Sequence, residues 1–175
     1  MTYRVALVCL GNICRSPMAH VVLEARLADA GLDDRVTVTS SGTGGWHVGD
    51  PMDRRAAATL TAAGYDAGRH RARQFEPASH AELDLVLAMD EQNLADLVST
   101  RSTDDGPTDD GDRRVRLFRD FDPREPGGEV PDPYYGGPDG FEEVLGMVER
   151  TAASLVELLA PVVDQPLDAR GSARG

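Results

Sequence analysis

The sequence predicts one α/β domain. Its length of 175 residues and its 41% apolar content are enough for a single buried core. Short apolar runs of strand length alternate along the chain with longer stretches of helical periodicity. The first such alternation, Val5-Ala6-Leu7-Val8-Cys9 followed by Leu10-Gly11-Asn12-Ile13-Cys14-Arg15-Ser16-Pro17, joins a buried strand to a helix through a short loop.

Residues 2–8 read as the first strand. Residues 18–30 read as the first helix, with Ala19, Val22, Leu23 and Leu27 on its apolar face and Gly31 as its stop. Ser16 and Pro17 read as its N-cap and first helical residue. His20, in the first turn, reads as a helix-surface residue. Residues 35–40, where Val36 and Val38 alternate with polar residues, read as the second strand. A glycine-rich loop over 41–51 follows and carries the only tryptophan, Trp46, in polar company that favours exposure. Residues 52–63 predict a helix stopped by Gly64. Residues 83–89 predict a buried third strand, and Asp90 an N-cap opening the next helix. Residues 99–112 turn acidic and lose their apolar residues from 102, which predicts a flexible, solvated insertion. Residues 114–118 predict the fourth strand. Asp139 with Glu142 predicts a capping pair for the last helix, whose face carries Phe141, Val144, Leu145, Val148, Ala152, Leu155 and Leu159. The pattern decays from Pro161, so the domain is expected over 1–160 and a disordered tail over 161–175.

The loop from Cys9 to Arg15 has the makings of a phosphoryl site. A strand-to-helix loop presents free N–H groups and the positive helix end to an anion, and Gly11 lets the backbone turn inwards. A thiol at a helix N-terminus beside an arginine is biased towards its thiolate. The Arg15 guanidinium matches two oxygens of a phosphoryl group. Together these predict covalent phosphoryl transfer through a cysteinyl-phosphate.

The run Val-Cys-Leu-Gly-Asn-Ile-Cys-Arg-Ser-Pro-Met-Ala over residues 8–19 resembles the phosphate loop of the low-molecular-weight protein tyrosine phosphatases, in their bacterial form. The resemblance extends over about residues 3–160. It implies a four-stranded parallel, flavodoxin-like sheet with helices on both faces. It also implies a nucleophilic Cys9, a transition-state-stabilising Arg15 and a phosphate-binding loop of Leu10, Gly11, Asn12, Ile13, Cys14 and Ser16. The family's general acid near the C-terminus matches Asp132, between Pro131 and Pro133. Trp46, Tyr134 and Tyr135 match a substrate rim. Ser41, His70 and Asp90 match supports of the loop, with His70 bonding the loop asparagine. At His20 relatives often carry an acid. The family also suggests that the paired tyrosines are targets of a cognate tyrosine kinase.

Other classes are weighed against this reading. A net charge of −12 disfavours nucleic acid or anionic membrane as partners. Two cysteines five apart and four scattered histidines make neither a disulfide framework nor a metal site, and no cofactor is expected. No apolar run has membrane-span length and no signal-peptide pattern is seen, so a cytoplasmic setting is expected. Arsenate reduction on the same scaffold needs further cysteines beyond Cys14. Phosphoarginine phosphatases tend to carry Thr where Ile13 stands and one aromatic where Tyr134 and Tyr135 stand. A non-catalytic phosphoprotein-binding module would have lost Cys9 or Asp132. The expected partners are tyrosine-phosphorylated proteins or peptides, with inorganic phosphate as product and inhibitor.

Overall fold

The structure, a computed structural model, describes residues 2–101 and 114–164. Most of the acidic insertion and all but the first four residues of the expected tail therefore lie outside the described residues. Four strands, β1 (Tyr3–Cys9), β2 (Val36–Gly42), β3 (Leu85–Ala88) and β4 (Val115–Leu117), form one sheet in the order β2-β1-β3-β4, all parallel. Helices α1 (Arg15–Asp29), α2 (Arg54–Ala62), α3 (Glu91–Ser99) and α4 (Pro138–Val163) complete the alternation.

The central strands β1 and β3 are hydrophobic on both faces because both faces are covered. Val5, Leu7 and Cys9 of β1 join Leu85 and Leu87 of β3 in the larger core, against Met18, Val22 and Leu23 of α1 and Phe141, Val144 and Val148 of α4. The alternate residues Ala6, Val8, Val86 and Ala88 face a second cluster with Leu97 of α3 and Phe75. β1 is central, so its C-terminal end, where the chain turns into α1, lies between the ends of β2 and β3.

Several boundaries differ from the sequence reading. α1 starts at Arg15, three residues early, and its N-cap is Cys14, which makes no side-chain cap bond. Ser16 is therefore inside the helix and its hydroxyl is used in the loop below. α2 begins after an Asp53 cap whose carboxylate accepts from the Arg55 N–H. A 3₁₀ turn, Pro77–Glu82, precedes a shortened β3. Gly137 is the N-cap of α4, so Asp139 and Glu142 do not form the expected capping box. α4 also runs through Pro161 to Val163. A proline in the last turn forfeits one backbone bond, and the apolar face continues to Val163, which is buried.

Candidate active site

Cys9 ends β1 and is 3% exposed. The loop that follows coils around its sulfur. The Asn12 N–H donates to Sγ at 3.3 Å, and the Ser16 hydroxyl lies 2.9 Å from it. Asn12 holds this turn in the left-handed region, at φ 56°, which asparagine tolerates better than most residues. Every polar group of its fully buried side chain is engaged. Nδ2 donates to Ser16 Oγ (2.9 Å) and Ser40 Oγ (3.1 Å), and Oδ1 accepts from the Arg73 N–H (2.9 Å). His70 Nε2 lies 2.7 Å from the Asn12 carbonyl oxygen. Burial pulls His70 below its ordinary pKa, which favours a neutral ring with Nε2 as the donor.

Ser40, rather than Ser41, supplies the supporting hydroxyl. Ser41 contributes its carbonyl, which accepts from Ser16 Oγ at 3.3 Å. The register explains the correction: Val36, Val38 and Ser40 share the buried face of β2, and Ser41 falls on the other. His20 is also more than a surface residue. Its Nδ1 is 3.2 Å from Ser40 Oγ and its Nε2 is 3.2 Å from Glu24, one turn along α1. The close approach of β2 to the loop requires Gly42, because a Cβ there would lie 2.6 Å from the Leu10 carbonyl oxygen.

Arg15 is 3% exposed and reaches two carboxylates. Nη1 donates to Asp90 Oδ2 at 2.5 Å and to the Val130 carbonyl at 3.2 Å, and Nη2 lies 3.4 Å from Asp132 Oδ2. Burial opposes the guanidinium charge, but Cys9, the Asp90 hydrogen bond and Asp132 outweigh it and hold its pKa above the ordinary value. Asp90 also caps α3, accepting from the Asn93 N–H at 2.7 Å, so both expectations for it hold at once. The Asp132 side chain is 42% exposed, and its Oδ1 accepts from the Tyr134 N–H. Its loop is anchored from behind. Val130 N–H donates to the Met89 carbonyl, and Arg119 Nη1 to the Glu129 carbonyl at 2.7 Å. Arg119 in turn shares the fully buried Asp122 with Arg150 of α4.

A cavity of about 190 Å³ opens over Cys9, with Arg15 and Asp132 in its lining and Leu10, Gly11, Ile13 and Cys14 contributed by the loop. Trp46, Tyr134 and Tyr135 rim it as the sequence suggests, joined by His47. Trp46 is 67% exposed but seated. Its ring covers Gly44 so closely that a Cβ there would lie 2.0 Å from Cζ3. Arg55 fixes the opposite rim, donating to the Tyr134 carbonyl at 2.9 Å with its guanidinium 5.4 Å from the Tyr134 ring centre. Cys14, beside Cys9 in the loop, is buried. Burial, with Asp53 and Cys9 nearby, pushes its thiol up to about 12. Among the described residues no cluster of three or more His, Cys, Asp or Glu side chains could hold a metal ion, and no helix is long and apolar enough to cross a membrane.

The arrangement can hold a tetrahedral anion over a sulfur, with one guanidinium and one carboxyl group beside it. Known proteins resemble this chain in sequence and fold. The profile of the low molecular weight phosphotyrosine protein phosphatases matches residues 4–165. A low molecular weight protein-tyrosine-phosphatase of Streptomyces coelicolor is 50% identical over 94% of this chain and 96% of its own. The low molecular weight protein-tyrosine phosphatase A of Mycobacterium tuberculosis is 44% identical over 86% of this chain and 88% of its own. Among solved structures, a protein tyrosine phosphatase of Entamoeba histolytica with Hepes in the active site superposes with a TM-score of 0.84 at 28% identity. That match covers 92% of this chain and 99% of the other.

Proposed function

This chain belongs to the low molecular weight phosphotyrosine protein phosphatase family, and we propose that Cys9, Arg15 and Asp132 carry its reaction. It is a protein-tyrosine phosphatase that works through a cysteine. The observation that supports the residue assignment is the convergence of Sγ, one guanidinium and one carboxyl group in a single cavity.

In this reading the phosphate of a phosphotyrosine enters the loop and its oxygens take the N–H groups and the Arg15 fork. The two contacts of Arg15 differ in a useful way. The 2.5 Å pairing with Asp90 keeps the guanidinium in place, and the longer 3.4 Å contact with Asp132 is the one that substrate oxygens replace. Cys9 Sγ attacks phosphorus as a thiolate. A P–S bond forms as the P–O bond to the tyrosine breaks, and Asp132 gives its proton to the departing phenolate oxygen. A water then attacks phosphorus while Asp132 takes its proton. The P–S bond breaks, inorganic phosphate leaves and the thiolate returns, stabilised by the Asn12 N–H and the Ser16 hydroxyl. Ile13, Trp46 and Tyr134 give the ring an apolar slot, which favours phosphotyrosine over phosphoarginine. The two cysteines of the chain offer no relay for arsenate reduction. Phosphate is expected to inhibit as product. Tyr135, at 92% exposed, is open to a cognate tyrosine kinase, and two free thiols fit a reducing cytoplasm.

The test is hydrolysis of phosphotyrosine, phosphoserine and phosphoarginine peptides with EDTA present. Phosphotyrosine should be preferred, Cys9→Ser should abolish turnover, and Asp132→Ala should slow it by roughly 10²–10⁴-fold. Preference for phosphoarginine would overturn the substrate reading, and full activity of Cys9→Ser would overturn the mechanism.

A further inference from the structure

Leu10 and Trp46 are walls of two depressions. One is the Cys9 cavity. The other, of about 280 Å³, runs from these two side chains to the last turn of α3 at Leu97, Ser99 and Thr100. Phe75 and Leu97, 9% and 1% exposed, lie at its base, while Leu10 and Trp46 are open to solvent.

The shared wall is held by backbone bonds. Thr43 N–H donates to the Cys9 carbonyl and Gly44 N–H to the Leu10 carbonyl, both at 2.9 Å, and the indole rests on Gly44. The hydroxyls of Ser99 and Thr100 at the second depression are engaged by their own surroundings. Ser99 Oγ donates to the Asp96 carbonyl at 2.7 Å. Thr100 Oγ1 donates to the Leu97 carbonyl at 2.9 Å and lies 3.1 Å from His80 Nε2. Among the described residues, what remains for a visitor is mainly apolar surface, with the Thr43 hydroxyl and one carboxylate, Asp96, which also accepts from Gln92 Nε2 at 3.0 Å.

We propose that this groove is a substrate subsite, which receives a bulky apolar side chain flanking the phosphotyrosine and disfavours an acidic one. The inference rests on the phosphotyrosine reading of the Cys9 cavity and extends it to the peptide. An extended peptide advances about 3.3 Å per residue, so a residue one or two places from the phosphotyrosine spans the width of an indole. With the tyrosyl ring against one side of Trp46, a flanking side chain reaches the other. An acidic side chain there would meet Asp96 on a chain of net charge −12.

The test measures kcat/KM for free phosphotyrosine and for phosphotyrosine peptides carrying Leu, Ala or Glu at each of the two positions on either side. At one position Leu should exceed Ala by about fivefold or more, and Glu should fall below Ala. Ser99→Trp, which fills the groove from an exposed helix end, should erase the Leu preference and leave free phosphotyrosine within about twofold of wild type. Asp96→Asn should relieve the Glu penalty without touching the Leu preference. Normal turnover of free phosphotyrosine with equal rates across the peptides overturns the subsite alone, as does a Leu preference that survives Ser99→Trp. Absence of free phosphotyrosine turnover overturns the activity reading and the subsite with it.

Discussion

Replacing Ser40 with alanine tests the support of the phosphate loop at its least accessible point. Ser40 is 3% exposed, and its hydroxyl lies 3.1 Å from Asn12 Nδ2 and 3.2 Å from His20 Nδ1. Without it, Asn12 keeps Ser16 as an acceptor at 2.9 Å, but one of its N–H donors is stranded in a residue with no solvent exposure. Leaving one buried donor unpaired costs about 1–3 kcal/mol. In a domain of this size each kcal/mol moves the melting midpoint by about 2–4 °C, so a loss near 2 kcal/mol predicts a fall of about 4–8 °C. The same change loosens the left-handed turn that aims the Asn12 N–H at Cys9, and kcat should fall by about tenfold or more. Ser41→Ala is the control. The hydroxyl of Ser41 takes part in none of these bonds, and its carbonyl survives the substitution, so stability should stay within about 0.5 kcal/mol. Thermal unfolding at pH 7 with turnover of phosphotyrosine measures both effects. Equal losses in the two variants, or an unchanged Ser40→Ala, would refute the register argument.

Two further outcomes follow from buried charge and buried thiol. Asp122 is fully buried. Burial opposes its charge, but bonds from Arg150, the Arg124 N–H and Arg119 hold its carboxyl well below the usual carboxylate range. Its contribution is therefore complete above the unfolded value of about 3.9 and drains as pH falls from there towards the folded value. Asp122→Asn should cost about 3–5 kcal/mol at pH 7 in denaturant unfolding, and should show a shallower loss of stability below about pH 4 than wild type. Cys14, with its thiol raised to about 12, stays protonated, so a disulfide must begin with oxidation of Cys9. A Cys9 sulfenic acid condenses with the Cys14 thiol, releasing water, and dithiothreitol reverses the bond. Peroxide-treated wild type should regain activity with dithiothreitol and Cys14→Ser should regain less; equal recovery would remove Cys14 from this protection.

The parts of the site that were legible in the sequence are those whose chemistry is local. Cys9, Arg15 and the loop between them are consecutive, and Asp90 announced itself as a cap where it is also the partner of Arg15. Trp46 read as exposed because its loop has little apolar company, and it is. Asp132 was legible only through resemblance, since an aspartate between prolines is an ordinary turn residue until Arg15 is seen 3.4 Å away. The misses have separate physical causes: competition between two local uses of one residue, strand parity, and contacts distant in sequence. Ser16 has the composition of an N-cap, but its hydroxyl is drawn to Cys9 and Asn12, and α1 starts one residue before it. Ser40 and Ser41 differ only in strand parity, and the period set by Val36 and Val38 does point to Ser40. His20 and Arg55 act across 20 and 79 positions of sequence, on Ser40 and Tyr134, and nothing within their own helices signals it.

The central claim is that the phosphoryl group passes through Cys9. The most direct measurement denatures the enzyme within milliseconds of mixing with a phosphotyrosine peptide and locates phosphate by peptide mass spectrometry. Phosphate on the peptide that carries Cys9, absent from Cys9→Ala and decaying at the rate of turnover, is the predicted result. Release of tyrosine and phosphate together, with no phosphorylated Cys9 peptide at any time during turnover, would contradict the account.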